Sequence, residues 1–416
     1  MKTLPFLSLL VVLTAVMACD TADSNRTSRL SPKILDVPPL VSDLNDSGAD
    51  FGIGLFTRTA GNAAEKHPNL MLSPLSAQVA LTMLLNGSKG DTYEQIHRML
   101  GYAPDADLDA VNQAYSALVK ELLKADPKVA LTLANAVFQR DGSDANPVFL
   151  NTMKAVFGAH YSVLDFDSPS AVTAINQWAS EKTNKRIPKV LERIEPGSVM
   201  FLLNALYFKG AWTTPFEKAQ TRPADFTKTD GRTAPVPTMH GEVTSVIHEG
   251  AGYRAIEIPY GRRNFSMVVI LPDGSLIDFY DRFSGGTWRE LTQALDARSA
   301  SDEWPKNELH LPRFSFEYGR TLNDHLQTMG MTDAFDEALA NLSGISDVKL
   351  VVSSVKQNTF VDVNEEGTEA AAVTTVDIRN TSVPIPFQVN RPFIFAIRER
   401  TTNTLLFIGQ VTDPAS

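Results

Sequence analysis

The chain has 416 residues, of which 43% are hydrophobic and 21% charged, and its net charge is −10. That composition can supply a large apolar core, and the acidic balance excludes nucleic acid as the main partner, because phosphate binding needs a basic face. Cys19 is the only cysteine, which excludes internal disulfides and Cys-based metal clusters.

The first residues read as a targeting segment. Lys2 supplies a positive start and an apolar run follows from Leu4 to Met17. A spanning helix needs about 20 apolar residues, so residues 1–18 read as a signal peptide. The run ends in Val16-Met17-Ala18-Cys19, which resembles a bacterial lipobox. That resemblance implies cleavage before Cys19 and a lipid on its thiol, holding an exported protein at a bacterial membrane, facing the periplasm or the cell exterior. The alternative is an ordinary secretory signal with an incidental cysteine. Residues 19–48 are polar and carry several prolines, the composition of a flexible tether, leaving residues 49–416 as the folded domain.

Within the domain, Ser73-Pro74 introduces a buried helix over Ser76–Leu85, since proline suits a first helical turn. Asp91 opens another that ends near Gly101, and Leu108–Leu123 and Ala171–Thr183 have helical spacing. Phe201–Phe208 is a nearly continuous apolar run, typical of a strand buried on both faces. Phe265–Leu271, Leu309–Phe316 and Leu350–Val363 are strand-like, and Phe393–Ile397 with Leu405–Ile408 predicts a hairpin turning at Thr401–Thr404. Helices early and strands late predict an α+β fold.

No enzyme motif is present: no Gly-x-Ser-x-Gly elbow, His-Glu-x-x-His pair, phosphate loop or dinucleotide fingerprint. No cofactor is implied. His310, in an apolar strand, and His325, in a helix, read as structural.

The unusual stretch runs from Glu365 to Pro392. From Thr368, alternate residues are Thr368, Ala370, Ala372, Thr374, Val376 and Ile378, all uncharged and the first three small. The intervening set, from Glu369 and Ala371 to Arg379, holds every charge. This is the period of a strand with one buried face, written into a Thr-rich, Pro-flanked segment of loop character.

Several motifs in order resemble the serpin family over about Asp50 to Pro414. They are Asn69-Leu-Met-Leu-Ser73-Pro74-Leu75-Ser76, Gly87-Ser-Lys89-Gly90-Asp91-Thr92, Asn204-Ala-Leu-Tyr207-Phe208-Lys209-Gly210-Ala-Trp212, Asn390-Arg-Pro392-Phe393 and Phe407-Ile-Gly409. Glu365-Glu-Gly367-Thr368-Glu369-Ala370-Ala371, continued by Ala372, is similar to the hinge of inhibitory members.

The resemblance implies three β-sheets, eight or nine helices and an exposed reactive-centre loop. It implies a suicide-type inhibitor, not an enzyme, that acts as a monomer. Its loop is cut by a serine or, less favourably, a cysteine protease, and the cut loop joins the central sheet as a strand. Thr368–Thr381 extended at about 3.3 Å per residue would carry the attached protease roughly 45 Å. The family's spacing, counted forward from Glu365 and backward from Pro392, gives Thr381–Ser382 as the reactive bond. Thr381 suits the shallow, uncharged pocket of an elastase-like or subtilisin-like protease. Cleavage at Arg379–Asn380, by a trypsin-like enzyme, is the competitor. Relatives commonly bond a His beneath the central sheet to the Asn matching Asn204. Gln357 stands there instead, and a polar cluster of Ser73, Ser76, Asn204 and Gln357 is expected. The rival readings are a non-inhibitory serpin that binds or chaperones, and a lipid-anchored enzyme.

Overall fold

The computed structural model describes residues 31–62, 67–142, 145–300, 303–368 and 385–416, all within one compact unit, Ser31–Ser416. One local device recurs at helix starts. Ser73, Asn146 and Ser168 each precede a proline, and each side chain accepts a hydrogen bond from a first-turn N–H. The oxygen satisfies a donor the helix cannot, and proline sacrifices nothing at the first helical position.

Nine α-helices occur among the described residues: α1 (Leu40–Ala60), α2 (Pro74–Gly87), α3 (Gly90–Met99), α4 (Leu108–Leu122), α5 (Pro147–Ala155), α6 (Pro169–Lys182), α7 (Leu276–Tyr280), α8 (Gly285–Arg298) and α9 (Asn323–Thr328). The strands are β1 (Leu70–Leu72), β2 (Val129–Arg140), β3 (His160–Leu164), β4 (Met200–Ala211), β5 (Arg222–Thr227), β6 (Thr233–Thr244), β7 (Val246–Gly250), β8 (Tyr253–Pro259), β9 (Phe265–Pro272), β10 (Lys306–Pro312), β11 (Phe314–Thr321), β12 (Ser354–Asn364), β13 (Gly367–Thr368), β14 (Phe387–Gln388), β15 (Phe393–Glu399) and β16 (Thr404–Val411). They form a central sheet β11-β12-β13-β4-β2-β3, a second sheet β1-β16-β15-β9-β8-β7, and a small sheet β14-β10-β6-β5. The class is α+β with three sheets.

The apolar run expected to be a doubly buried strand is β4. Met200, Leu202, Leu206 and Phe208 face the main core. Phe201, Leu203 and Ala205 face the opposite way, onto Ile175 and Trp178 of α6. The C-terminal hairpin forms as β15 and β16, with Asn403 in the left-handed region at φ 55°, a conformation its short polar side chain tolerates.

Two expectations change. Leu309–Phe316 is two strands in different sheets: β10 pairs with β6 and β11 with β12. Pro312 has no N–H for a ladder, and buried positions shift there from Leu309 and Leu311 to Phe314. The parity of the pattern, odd before and even after, is the signal of the break. The fold also starts earlier than residue 49. Leu35 is buried, and α1 buries Val41, Leu44, Gly48 and Ala49. Residues that look like linker by composition serve close packing here; a Cβ on Gly48 would collide with the Gln78 carboxamide. Upstream, the Lys33 N–H donates to Asn264 Oδ1, and Asn264 Nδ2 donates to the Lys33 carbonyl, both at 2.8 Å.

Candidate functional site: the hinge and the fork in the central sheet

Beyond Asn364 the chain turns through Glu365 and Glu366 and runs back as β13, antiparallel to β12 on one side and β4 on the other. The turn is held from below. Trp212 N–H donates to the Glu366 carbonyl (2.9 Å), Phe216 N–H to the Glu365 carbonyl (2.8 Å), and the Trp212 indole to the Asn364 carbonyl (2.9 Å). The Glu365 carboxylate is buried, accepts from Thr221 Oγ1 at 2.6 Å and lies 3.6 Å from Arg313. Glu366 pairs with Lys218 at 2.5 Å, and that hydrogen-bonded carboxylate raises the ammonium's pKa. Gly367 has φ 148°, and a Cβ there would strike the Gly210 carbonyl. Only glycine fits so close an approach in that region.

Thr368 is 2% exposed. Its hydroxyl shares a 2.7 Å hydrogen bond with Tyr260, whose pKa burial pushes well up, so the phenol stays neutral. Tyr260 stacks on Trp212, with centroids 4.4 Å apart and planes at 10°. Thr368 therefore points into the core, the direction expected for the uncharged set of the period-two pattern.

Thr368 stands between Val363 and Gly210. Further down, β12 and β4 pair directly and in parallel over five positions, Ser354–Asn358 with Phe201–Ala205. Between these regions, Thr359–Asp362 and Leu206–Lys209 face each other with no strand pairing between them among the described residues. The sheet is thus a fork: closed below, open above, with Thr368 at its mouth.

At the closed end the polar cluster divides. Gln357 Oε1 accepts from Ser73 N–H and Gln357 Nε2 donates to the Ser73 carbonyl, both at 2.8 Å. Ser73 Oγ donates to the Leu406 carbonyl at 2.8 Å and accepts from Ser76 N–H at 3.3 Å. Asn204, the register partner of Gln357, turns instead to Asn135 on β2, donating to its Oδ1 at 2.5 Å. Asn204 Oδ1 and Ser76 Oγ are buried without a hydrogen-bond partner in the protein, a state that costs about 1–3 kcal/mol per group. Ser73, Ser76 and Gln357 are thus hydrogen-bonded together, whereas Asn204 bonds to Asn135 and not to Gln357.

Ala370, Ala371, Ala372, Arg379, Asn380, Thr381, Ser382 and Cys19 lie outside the described residues. Sequence reasoning missed Tyr260, Lys218, Thr221, Arg313 and Asn135. They come from distant segments with no spacing relation to the hinge. Trp212 was visible only as the end of a strand motif.

A family model described as Serpin (serine protease inhibitor) matches residues 46–414. Serpin B11 of Homo sapiens is 30% identical over 399 residues, covering 90% of this chain and 100% of the relative. Leukocyte elastase inhibitor of Xenopus tropicalis is 32% identical over 388 residues, with 90% and 100% covered. Among solved structures, the thermophilic serpin tengpin in its native state aligns with TM-score 0.81 at 32% identity, covering 92% of this chain and 96% of that one. Its latent state aligns with TM-score 0.76 at 31% identity, covering 92% and 100%. With the family model spanning nearly the whole domain and relatives matched end to end, the chain belongs to the serpin family.

Proposed function

We propose that this chain inhibits a serine protease by offering the segment after Thr368 as a substrate and inserting it into the central sheet once cut. The seating of Thr368 in the fork carries this reading. The hinge already lies antiparallel to both flanking strands, with its side chain in the core. Continuing that register, Val373 would meet the first closed pair, Asn358–Ala205, and Asp377 would meet Ser354 and Phe201. The paired strand would thus run from Thr368 to Asp377, about 33 Å at about 3.3 Å per residue. The better alignment with native than latent tengpin agrees with a sheet still waiting for its strand.

In the proposed reaction the protease serine oxygen bonds to the Thr381 carbonyl carbon. The Thr381–Ser382 amide breaks, and the Ser382 amine leaves with a proton. The ester stays on Thr381, and insertion drags it down the sheet before water can reach it. Thr381 fits an uncharged primary pocket of elastase-like or subtilisin-like type, in keeping with the relative named leukocyte elastase inhibitor. Export and a lipid on Cys19 complete the proposal and would place the inhibitor at a membrane surface.

The test is incubation with an elastase-like protease followed by denaturing electrophoresis and mass spectrometry. A complex stable to boiling detergent, with a released C-terminal peptide starting at Ser382, is expected. A peptide starting at Asn380 would move the bond to Arg379. Cleavage without any complex would leave the non-inhibitory reading. Detergent-phase partitioning that Cys19→Ser abolishes is the expected sign of the anchor, and an unmodified mature N-terminus would refute it.

A further inference from the structure

From Phe387 onward the chain is fixed to the body of the protein. Phe387 is fully buried and pairs with Leu309 of β10, and the Arg254 guanidinium lies 4.8 Å from its ring centroid. Val389 is buried, and its N–H donates to the His310 carbonyl at 2.9 Å. Arg391 donates to the Pro272 carbonyl at 3.0 Å.

Ile385 shares the parity of Phe387 and Val389, so the strand period would place all three on one buried face. It is instead 93% exposed, the most exposed large apolar side chain among the described residues. The sheet has run out beneath it. Among the described residues the pairing of β14 with β10 covers Phe387 and Gln388, and Ile385 overhangs that edge with no core to enter. Leaving it in water forgoes the transfer free energy that burial would recover. Pro386 follows it, and the residue before a proline is confined to extended backbone. An anchor two residues away thus presents the side chain in the extended form in which a peptide lies along a cleft with alternate side chains in pockets.

This inference rests on the reading of Thr381–Ser382 as the reactive bond. Counted from that bond, Ile385 is the fourth residue on the leaving-group side, about 10 Å beyond Ser382 at about 3.3 Å per residue. That distance lies well inside the roughly 800 Å² that a protease–inhibitor contact covers on each partner.

We propose that Ile385 is a specificity-determining residue that occupies an apolar subsite on the leaving-group side of the target protease. The contact belongs to one stage of the reaction. It exists while the intact loop lies in the cleft and the protease serine attacks Thr381. It ends when the bond breaks, because Ile385 stays with the anchored C-terminal strands while the ester leaves with Thr381. Ile385 therefore sets how fast the protease is acylated. It has no part in whether the acyl-enzyme is then trapped or released by water.

The test uses the full chain with an elastase-like and a subtilisin-like protease. Two quantities are measured: the second-order rate of complex formation, and the fraction of cut chain that ends as stable complex. Ile385→Ala should lower the rate about tenfold, and Ile385→Asp about fiftyfold, because a carboxylate has to be desolvated in an apolar pocket. Ile385→Leu, similar in volume, should stay within about threefold. In all three variants the trapped fraction and the Tm should match the unmodified chain. An unchanged rate for Ile385→Asp, with the released peptide still starting at Ser382, would overturn the inference and leave the inhibitory reading intact. A trapped fraction or a Tm that falls along with the rate would also overturn it, by showing that Ile385 serves insertion or the fold. A peptide starting at Asn380 would move Ile385 two places farther from the bond, and the assignment would fall with the bond. If the unmodified chain traps neither protease, the inhibitory reading falls and this inference with it.

Discussion

In the second sheet, β15 lies between β16 and β9 and every one of its residues is buried. In the central sheet, β12 and β4 share five paired positions and then diverge around Thr368. Both sheets draw on similar apolar strands, so composition does not explain the difference. The second sheet carries a charge cluster whose centre, the Arg398–Glu257 pair, is fully buried. Arg398 is fully buried and donates to Glu257 Oε1 at 2.9 Å and Asp296 Oδ1 at 2.6 Å. Burial disfavours its charge, but Glu257 and Asp296 outweigh that and raise its pKa. One sheet is a finished foundation. In the other, Thr359–Asp362 and Leu206–Lys209 have no strand paired between them among the described residues, and open strand edges are ones that proteins ordinarily cover.

The contrast breaks most severely at Thr368. Thr368→Arg places a charge where the threonine side chain is already buried against Tyr260, so the hinge can seat, and the strand after it can enter, only at a cost of several kcal/mol. The variant should still be cleaved but should form essentially no stable complex on a denaturing gel; undiminished complex formation would remove insertion from the mechanism. Next, cutting the loop in the unmodified chain should raise Tm by on the order of 10 °C, measured by calorimetry before and after limited proteolysis. Equal Tm values would mean that the fork stores nothing.

A third variant sharpens the comparison from the other side. Glu257→Gln removes one of the partners of a buried guanidinium and should destabilise the chain by about 3–5 kcal/mol. Because the second sheet is complete in either state, intact and cleaved forms should lose the same amount in denaturant titrations. A loss confined to one form would show that the two sheets are coupled.

The smallest effect is a pH response in the small sheet. His310 faces His240 across β10 and β6, with ring centroids 4.1 Å apart. Burial, then His240, hold its pKa below the ordinary 6.5, with Arg222 acting in the same direction and Glu308 opposing. The unfolded chain therefore takes up the proton first, so this contribution is present above about pH 6.5 and is lost as pH falls through the folded value. His310→Gln should flatten the fall in Tm between about pH 7 and pH 5.5 by a degree or two. A fall as steep as in the unmodified chain would assign it to other groups.

Much of this was legible in the residues. Ser73-Pro74 marks a capped helix start because cap and proline act within one turn. Thr368, Ala370 and Ala372 share the parity of a buried strand face, and Thr368 does point inward. The break at Pro312 was written in a change of parity, but inside an unbroken strand-like run it is easily read through. The early start of the fold was hidden because Ser47 and Gly48 are linker-like by composition, and only the position of Gln78 makes a small residue necessary there.

What the sequence determined by itself is local: cap chemistry, the alternation of uncharged and charged residues after Gly367, a doubly apolar β4, and a hairpin turning at Asn403. Each depends on neighbours within a few residues, where backbone geometry leaves few choices. The tertiary structure decided the choice of partner. Gln357 can donate and accept, and nothing nearby in the chain dictates whether it takes Asn204 or Ser73, 284 positions away. Likewise the point where the fork closes, at Asn358 and Ala205, is set by how β12 and β4 are held by α2, α9, β2 and α6. Register between strands distant in sequence follows from packing on both sides of the sheet, and no local pattern carries that information.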